Sequence, residues 1–326
     1  MLEASSPAKA ILFGEHAVVY GKPAIALSLD RRMSVTAFPA AEPRVDNGRL
    51  SIRKHRYVRW AYENMWDGPA IAFRTRSTIP TASGLGSSAA LSCSVVSALD
   101  LLKGDFSEQS TARRSFEVEY NVQGRASPTD TSCSTHGNGI LLSSDIRENL
   151  LWSITKGETT WNIHHIEPPE LSLVIGYTKK PSITPVQVNK VRSYYERSGF
   201  ARETIDEIGS VVEDGLKALR ERDIVKLGGL MDRNHSLLTI LGVTSKELDK
   251  LREAAGPLSF GTKLTGAGGG GSMIALTDRP GEVSAAIKKR GGIPFEVKTT
   301  GIGTRVSVLD REAFDIFIEG VQGKKG

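Results

Sequence analysis

The run Ile79-Pro80-Thr81-Ala82-Ser83-Gly84-Leu85-Gly86-Ser87-Ser88-Ala89-Ala90 lies between an alternating segment and an apolar one, and the fold turns on how it is read. Upstream, Ile71, Phe73 and Thr75 share one face of a two-residue repeat while Arg74 and Arg76 take the other, as in a half-buried strand. Downstream, Ala89 to Leu99 has the composition of a buried helix. Gly84 and Gly86 allow the backbone turns closed to other residues and a close approach to a ligand. Ser87 and Ser88 then fall at the helix start, where unpaired N–H groups and the positive end of the dipole favour an anion. Pro80, Ser83, Gly84, Leu85, Gly86, Ser87, Ser88, Ala89 and Ala90 are therefore expected to cradle phosphate. A Walker loop needs a Lys after its last Gly, and none follows Gly86. The same residues also suit a plain glycine turn before a buried helix capped by Ser87.

Working outward, the opening segment Ser6-Pro7-Ala8-Lys9-Ala10-Ile11-Leu12-Phe13-Gly14-Glu15-His16 is strand-like and breaks at Gly14. Lys9, Glu15 and His16 stand at that break, titratable groups beside a buried strand, which makes them site candidates. Residues 24 to 37 read as a pair of short strands, and residues 45 to 65 carry no clear pattern. A helix is predicted from Ser107, its cap, to Gln123, stopped by Gly124. The segment from Gly124 to Gly137 is rich in turn formers and small hydroxyl residues, so it reads as a loop lining a site, with Asp130 as its only acid.

Glu167-Pro168-Pro169-Glu170 has the composition expected of a domain boundary, and the pattern changes beyond it. Residues 184 to 255 have helical spacing, clearest in Ile205, Ile208, Val212, Leu216 and Leu219. Short strands return near 258–264, 272–277, 293–299 and 304–309, with a helix around 281–290, as in a small α+β unit. Between two of these strands, Gly268-Gly269-Gly270-Gly271 is a longer glycine run than a hairpin tip needs. Close approach to another backbone or to a nucleotide would explain it.

Composition excludes several classes. At 326 residues the chain is long enough for two domains. No stretch is long and apolar enough to cross a bilayer, so a cytoplasmic protein is expected. Cys93 and Cys133 are too few for a disulfide framework and wrongly spaced for zinc. The net charge of +5 is spread along the chain, so a nucleic-acid partner is not expected.

Three segments together are more specific than any one. Pro7 to Gly21, the loop Gly84-Leu85-Gly86-Ser87-Ser88-Ala89, and Leu264-Thr265-Gly266-Ala267-Gly268-Gly269-Gly270 resemble, in this order, the three motifs of the GHMP small-molecule kinases. Within that superfamily the string Gly14-Glu15-His16-Ala17-Val18-Val19-Tyr20-Gly21 looks like that of the mevalonate kinases. The resemblance implies an α+β, two-domain fold with the active site in the cleft between. Residues 1–168 would form an α/β domain with a left-handed βαβ unit, and residues 169–326 a ferredoxin-like α+β domain with added helices. It further implies ATP as co-substrate, mevalonate as acceptor through its C5 hydroxyl, and a homodimer. Asp130, in a Gly-x-x-Ser-x-x-Asp segment matched by Gly124 and Ser127, would accept or orient the hydroxyl proton, with Lys9 steadying the developing charge. Ser88 and Glu119 would hold Mg2+, Glu15, His16 and Thr178 would contact the substrate, and Gly266, Ala267, Gly268 and Gly269 form the third motif's loop. Ala126-Ser127-Pro128 resembles the archaeal form of the Asp segment, where eukaryotic members carry Pro-Ser-Gly. The same motifs would serve a phosphomevalonate kinase or a kinase acting on the 3-hydroxyl. A silent sensor of this fold should lack Lys9, Glu119 or Asp130.

Overall fold

Leu2–Phe13 (β1) and Ala24–Pro39 (β2) pair antiparallel along nearly their whole length in the computed structural model, which describes residues 1–80, 83–124 and 126–322. Thr81 and Ala82 of the glycine loop, Arg125 of the Asp segment and the tail pair Lys324-Lys325 lie outside the described residues. Residues 24 to 37, expected as two short strands, make one long one. Its register shifts opposite Pro7 and Ala8, where Asp30 and Arg31 are left over on β2. Pro7 has no N–H to offer the ladder, and a bulge lets the charged pair leave it without ending the strand.

The first sheet grows from this pair. Arg44–Val45 (β3) and Gly48–Arg49 (β4) form a short hairpin, and Arg56–Met65 (α1) follows, with Val58, Ala61 and Met65 buried. These elements occupy the stretch that had no sequence pattern. Ile71–Ser77 (β5) pairs with one end of β2. Then come three helices, Ser87–Lys103 (α2), Glu108–Gln123 (α3) and Thr129–His136 (α4), and three strands, Gly139–Ser143 (β6), Leu150–Lys156 (β7) and Thr159–Ile166 (β8). Among the described residues the sheet order is β4-β3-β5-β2-β6-β8-β7, with β1 on the free side of β2. The helix predicted between Ser107 and Gly124 is present: Ser107 accepts from Ser110 N at 3.2 Å, and Gly124 closes it with φ of 78°.

The Asp segment differs from its expectation as a loop. Thr129 to His136 is helical, with Thr131, Ser132, Cys133, Ser134 and Thr135 all buried. Small hydroxyl residues have weak helix propensity, but their size lets α4 pack closely on α2, where the Thr135 hydroxyl lies 3.3 Å from Cys93 Sγ. Burial overrides propensity.

The second sheet holds Ser172–Tyr177 (β9), Gly261–Thr265 (β10), Ser272–Leu276 (β11) and Ile293–Lys298 (β12), all antiparallel in the order β10-β11-β9-β12. Helices Thr184–Arg197 (α5), Gly199–Glu221 (α6), Ile224–Ile240 (α7) and Lys246–Ala255 (α8) fill the span between β9 and β10, and Pro280–Lys289 (α9) precedes β12. Ile205, Ile208, Val212, Leu216 and Leu219 are buried on α6, as their spacing predicts. They join Phe13 and Leu27 of the first sheet in one apolar cluster, so the two units share core. Arg305–Val308 (β13) then returns to the first sheet, pairing Val308 with Leu2, and Arg311–Gln322 (α10) places Phe314 and Ile318 against that unit's core. A division at residue 168 therefore separates the sheets only as far as Lys298. The fold is the two-domain α+β arrangement of two sheets with helices between them. Among the described residues no helix is long and apolar enough to cross a membrane.

Candidate active site

A cleft of about 620 Å³ opens where β1, the glycine loop, α3, α4 and the β10–β11 turn converge. Gly86 is the N-cap of α2 and contributes no side-chain cap, so the first-turn N–H groups face the cleft uncapped, Ser87 and Ser88 among them. The plain-turn alternative required Ser87 to cap the helix, and it does not. The loop is tied to β1 twice: Lys9 N donates to Leu85 O at 3.1 Å, and Lys9 Nζ to Gly84 O at 3.3 Å. Ser83 turns inward to donate to Pro80 O at 2.7 Å.

Lys9 Nζ also stands 3.0 Å from Asp130 Oδ1. The Lys9 side chain is 3% exposed and Asp130 36%, so a buried ammonium holds a carboxylate that still reaches the open cleft. Asp130 lies in the first turn of α4, where the helix dipole also favours its negative charge. Beside it on α3, Glu119 is buried and takes hydrogen bonds from Ser88 Oγ at 3.1 Å, Ser92 Oγ at 3.2 Å and Gln123 Nε2. Burial first, then the charge of Asp130, push the Glu119 carboxyl up to about 7. Its hydrogen-bond donors are neutral. A divalent cation would offset this uncompensated charge, and the hydroxyl of Ser88 with the carboxylates of Glu119 and Asp130 is a hard oxygen set of the kind Mg2+ takes. Among the described residues no three His, Cys, Asp or Glu side chains form a metal site by themselves, so such an ion would draw further ligands from phosphate and water.

Across the cleft, His16 Nε2 and the carbonyl of Ala267 are 2.9 Å apart, tying the first motif to the third. His16 holds φ of 61°, a left-handed conformation that a side-chain-bearing residue occupies only when its surroundings impose it. Burial lowers its pKa, so it faces the cleft as a neutral imidazole. Gly266 and Ala267 line the wall, whereas Gly268 and Gly269 turn away from it. A Cβ on Gly268 would stand 2.0 Å from Val243 O, and Gly269 N donates to Val243 O at 2.7 Å. The glycine run is thus spent on close approach to another backbone. Thr178 lies outside the cleft lining, and its hydroxyl donates to Gly271 O at 2.8 Å.

Glu15 lines the cleft wall, yet both its oxygens are engaged inside the protein. Lys263, fully buried on β10, pairs with Oε1, and Asn234 Nδ2 of α7 donates to Oε2 at 3.1 Å. Sequence reasoning passed over Lys263, Asn234, Gln123 and Ser92. It also passed over Arg56 and Tyr57, which α1 brings to the cleft from the unpatterned stretch. Only Lys263 left a trace, as a charged residue between apolar and β-forming neighbours in Thr262-Lys263-Leu264-Thr265.

This fold and cleft are those of the GHMP kinases: residues 55–138 match the family described as GHMP kinases N terminal domain, and residues 216–292 that of GHMP kinases C terminal. The mevalonate kinase of Methanothermobacter thermautotrophicus is 37% identical over 284 residues, covering 83% of this chain and 89% of the relative. That of Pyrococcus horikoshii is 34% identical over 350 residues, covering 94% and 98%. A solved mevalonate kinase of L. major in complex with R-mevalonate shares the fold with a TM-score of 0.76 at 21% identity, over 90% of this chain and 94% of that one. The chain belongs to the mevalonate kinase family.

Proposed function

We propose that this protein transfers the terminal phosphoryl group of ATP to the C5 hydroxyl of mevalonate. The observation that supports it most directly is the Lys9–Asp130 pair, 3.0 Å apart, beside the uncapped start of α2. Phosphoryl transfer asks a protein mainly to align two oxygens and to offset charge. In this reading the N–H groups of α2 and the Gly84 to Ser88 loop hold the phosphates. Asp130 accepts or orients the proton of the attacking hydroxyl, and Lys9 fixes that carboxylate against Gly84 while steadying the charge that develops.

Ser88 and Glu119 would hold Mg2+, which when bound would neutralise phosphate oxygens. His16 acts as a neutral group that ties the third motif's loop to the cleft. Glu15 shapes the wall from behind, anchored by Lys263. Thr178 supports the glycine run from outside the cleft. The family resemblance carries with it a homodimer working in the cytoplasm, which light scattering and cell fractionation would check.

The deciding experiment is ATP consumption against mevalonate, phosphomevalonate, homoserine and galactose, followed by phosphorus NMR of the product. Turnover with mevalonate alone and a phosphate on C5 is expected. Preference for another acceptor, or a phosphate on the 3-hydroxyl, would overturn the assignment.

A further inference from the structure

The cleft wall carries both cations and anions. Lys9 is neutralised by Asp130 and His16 is uncharged. Glu119 and Glu15 are held by groups already described. Arg56 is left over: it lines the cleft, and among the described residues no carboxylate lies within ion-pair range of it. A polyanionic nucleotide entering this cleft therefore meets Arg56 as the one unneutralised cation on the wall among the described residues.

Two further observations place that charge at the phosphate end. The guanidinium lies over the ring of Tyr57, 4.9 Å from its centroid, and Nη2 donates to the Tyr57 hydroxyl at 3.2 Å. Tyr57 lines the same cleft wall as Ser88, the residue whose Oγ donates to Glu119. Arg56 and its tyrosine thus share the cleft with the serine at the start of α2. Its own position argues against a structural purpose: a cation in the first turn of α1 is opposed by that helix's dipole and gains nothing from an acidic neighbour.

We propose that Arg56, oriented by Tyr57, is a positioning residue that clamps the β- and γ-phosphates of the nucleotide. A guanidinium suits this role because its planar fork meets two phosphate oxygens at once. The inference deepens the kinase reading above and rests on it for the identity of the nucleotide, while its test is arranged to be independent of the acceptor.

Calorimetric titration with ATP and with AMP, each without mevalonate, compares wild type with Arg56→Ala, Arg56→Lys and Tyr57→Phe. Arg56→Ala is expected to weaken ATP by roughly 10- to 100-fold while leaving AMP within about twofold, because only ATP has the outer phosphates. Arg56→Lys should recover part of the loss, and Tyr57→Phe should show a smaller loss for ATP alone. An equal effect on ATP and AMP would mean a structural role, and an unchanged ATP affinity with a raised KM for mevalonate would mean that Arg56 serves the acceptor's carboxylate. Either result overturns the clamp. Failure of wild type to phosphorylate mevalonate, with the ATP-to-AMP contrast intact, would sink the acceptor assignment and leave the clamp standing.

Discussion

Gly86 and Lys9 are packed so that a Cβ on the glycine would stand 2.9 Å from Cγ of the lysine, on a backbone with φ of 71°. The turn that starts α2 and the ammonium that holds Asp130 therefore depend on one missing methyl group. Gly86→Ala should lose about 1–2 kcal/mol of stability from the left-handed backbone alone. It should also push Lys9 off Asp130 and reduce turnover by roughly 10- to 100-fold, the range for displacing one charge-stabilising group. Thermal denaturation and initial rates measure the two separately. A lowered Tm with unchanged kcat would show that the Lys9 contact is not needed for the reaction.

Asp130→Asn and Lys9→Met should each lower kcat by roughly 10²-fold or more, on the scale usual for a proton acceptor or a charge-stabilising cation. The KM for ATP should change little, since the phosphates rest on the α2 loop. Because the two side chains act as a pair at 3.0 Å, the double variant should be scarcely worse than the poorer single one. Losses that multiply in the double variant would mean that the two groups work independently.

How much of this was legible in the sequence depended on whether a residue's role is local. The strand–glycine turn–helix order around Gly86, the Ser107 cap and the α6 face rest on neighbours within a turn or two, and the structure has all three. The helix at Thr129–His136 was not, because its stability comes from packing on α2 and the sequence of small hydroxyl residues favours a loop. Lys263 could not have been paired from sequence: its partner Glu15 is 248 residues away, and a lysine in a short strand normally faces solvent. Arg56 and Tyr57 likewise sit in a stretch without pattern, and only the packing of α1 carries them to the cleft. The three motifs came together because they are backbone features, while the side chains that support them from behind carry no motif.

The Glu15–Lys263 pair offers a test of that hidden support. Desolvation lowers the Lys263 pKa and Glu15 opposes the shift, so each charge is tolerated in the interior because of the other. Lys263→Met should leave the Glu15 charge buried with Asn234 as its remaining side-chain partner, at a loss of about 3–5 kcal/mol. Adding Glu15→Gln to that variant removes the orphaned charge and should restore more than half of the loss. Urea unfolding of the two singles and the double closes the cycle. A double variant less stable than Lys263→Met would mean that the glutamate's charge is stabilised by something other than the lysine.

His235 predicts the behaviour in acid. It is buried on α7, its Nδ1 accepts from Leu264 N at 3.2 Å, and its Nε2 lies 3.4 Å from Asp249 Oδ1. Desolvation, with help from Arg252 and Lys263 and against Asp249, brings its pKa down to about 4 from 6.5. The unfolded chain therefore takes up a proton that the folded chain refuses between these values. The stability from the neutral imidazole is fully present above pH 6.5 and is lost as pH falls towards 4, by on the order of 2–3 kcal/mol. Asp100 and Glu119 run the other way: burial raises them to about 6 and about 7, so each favours the fold more as pH falls. The wild-type profile alone would blend these slopes. His235→Gln keeps an acceptor for Leu264 N and cannot titrate, so the difference between the two proteins isolates the histidine. The variant should gain on wild type progressively from pH 6.5 to 4 in urea unfolding. Parallel curves over that range would place the imidazole's proton affinity near its ordinary value and refute the neutral buried histidine.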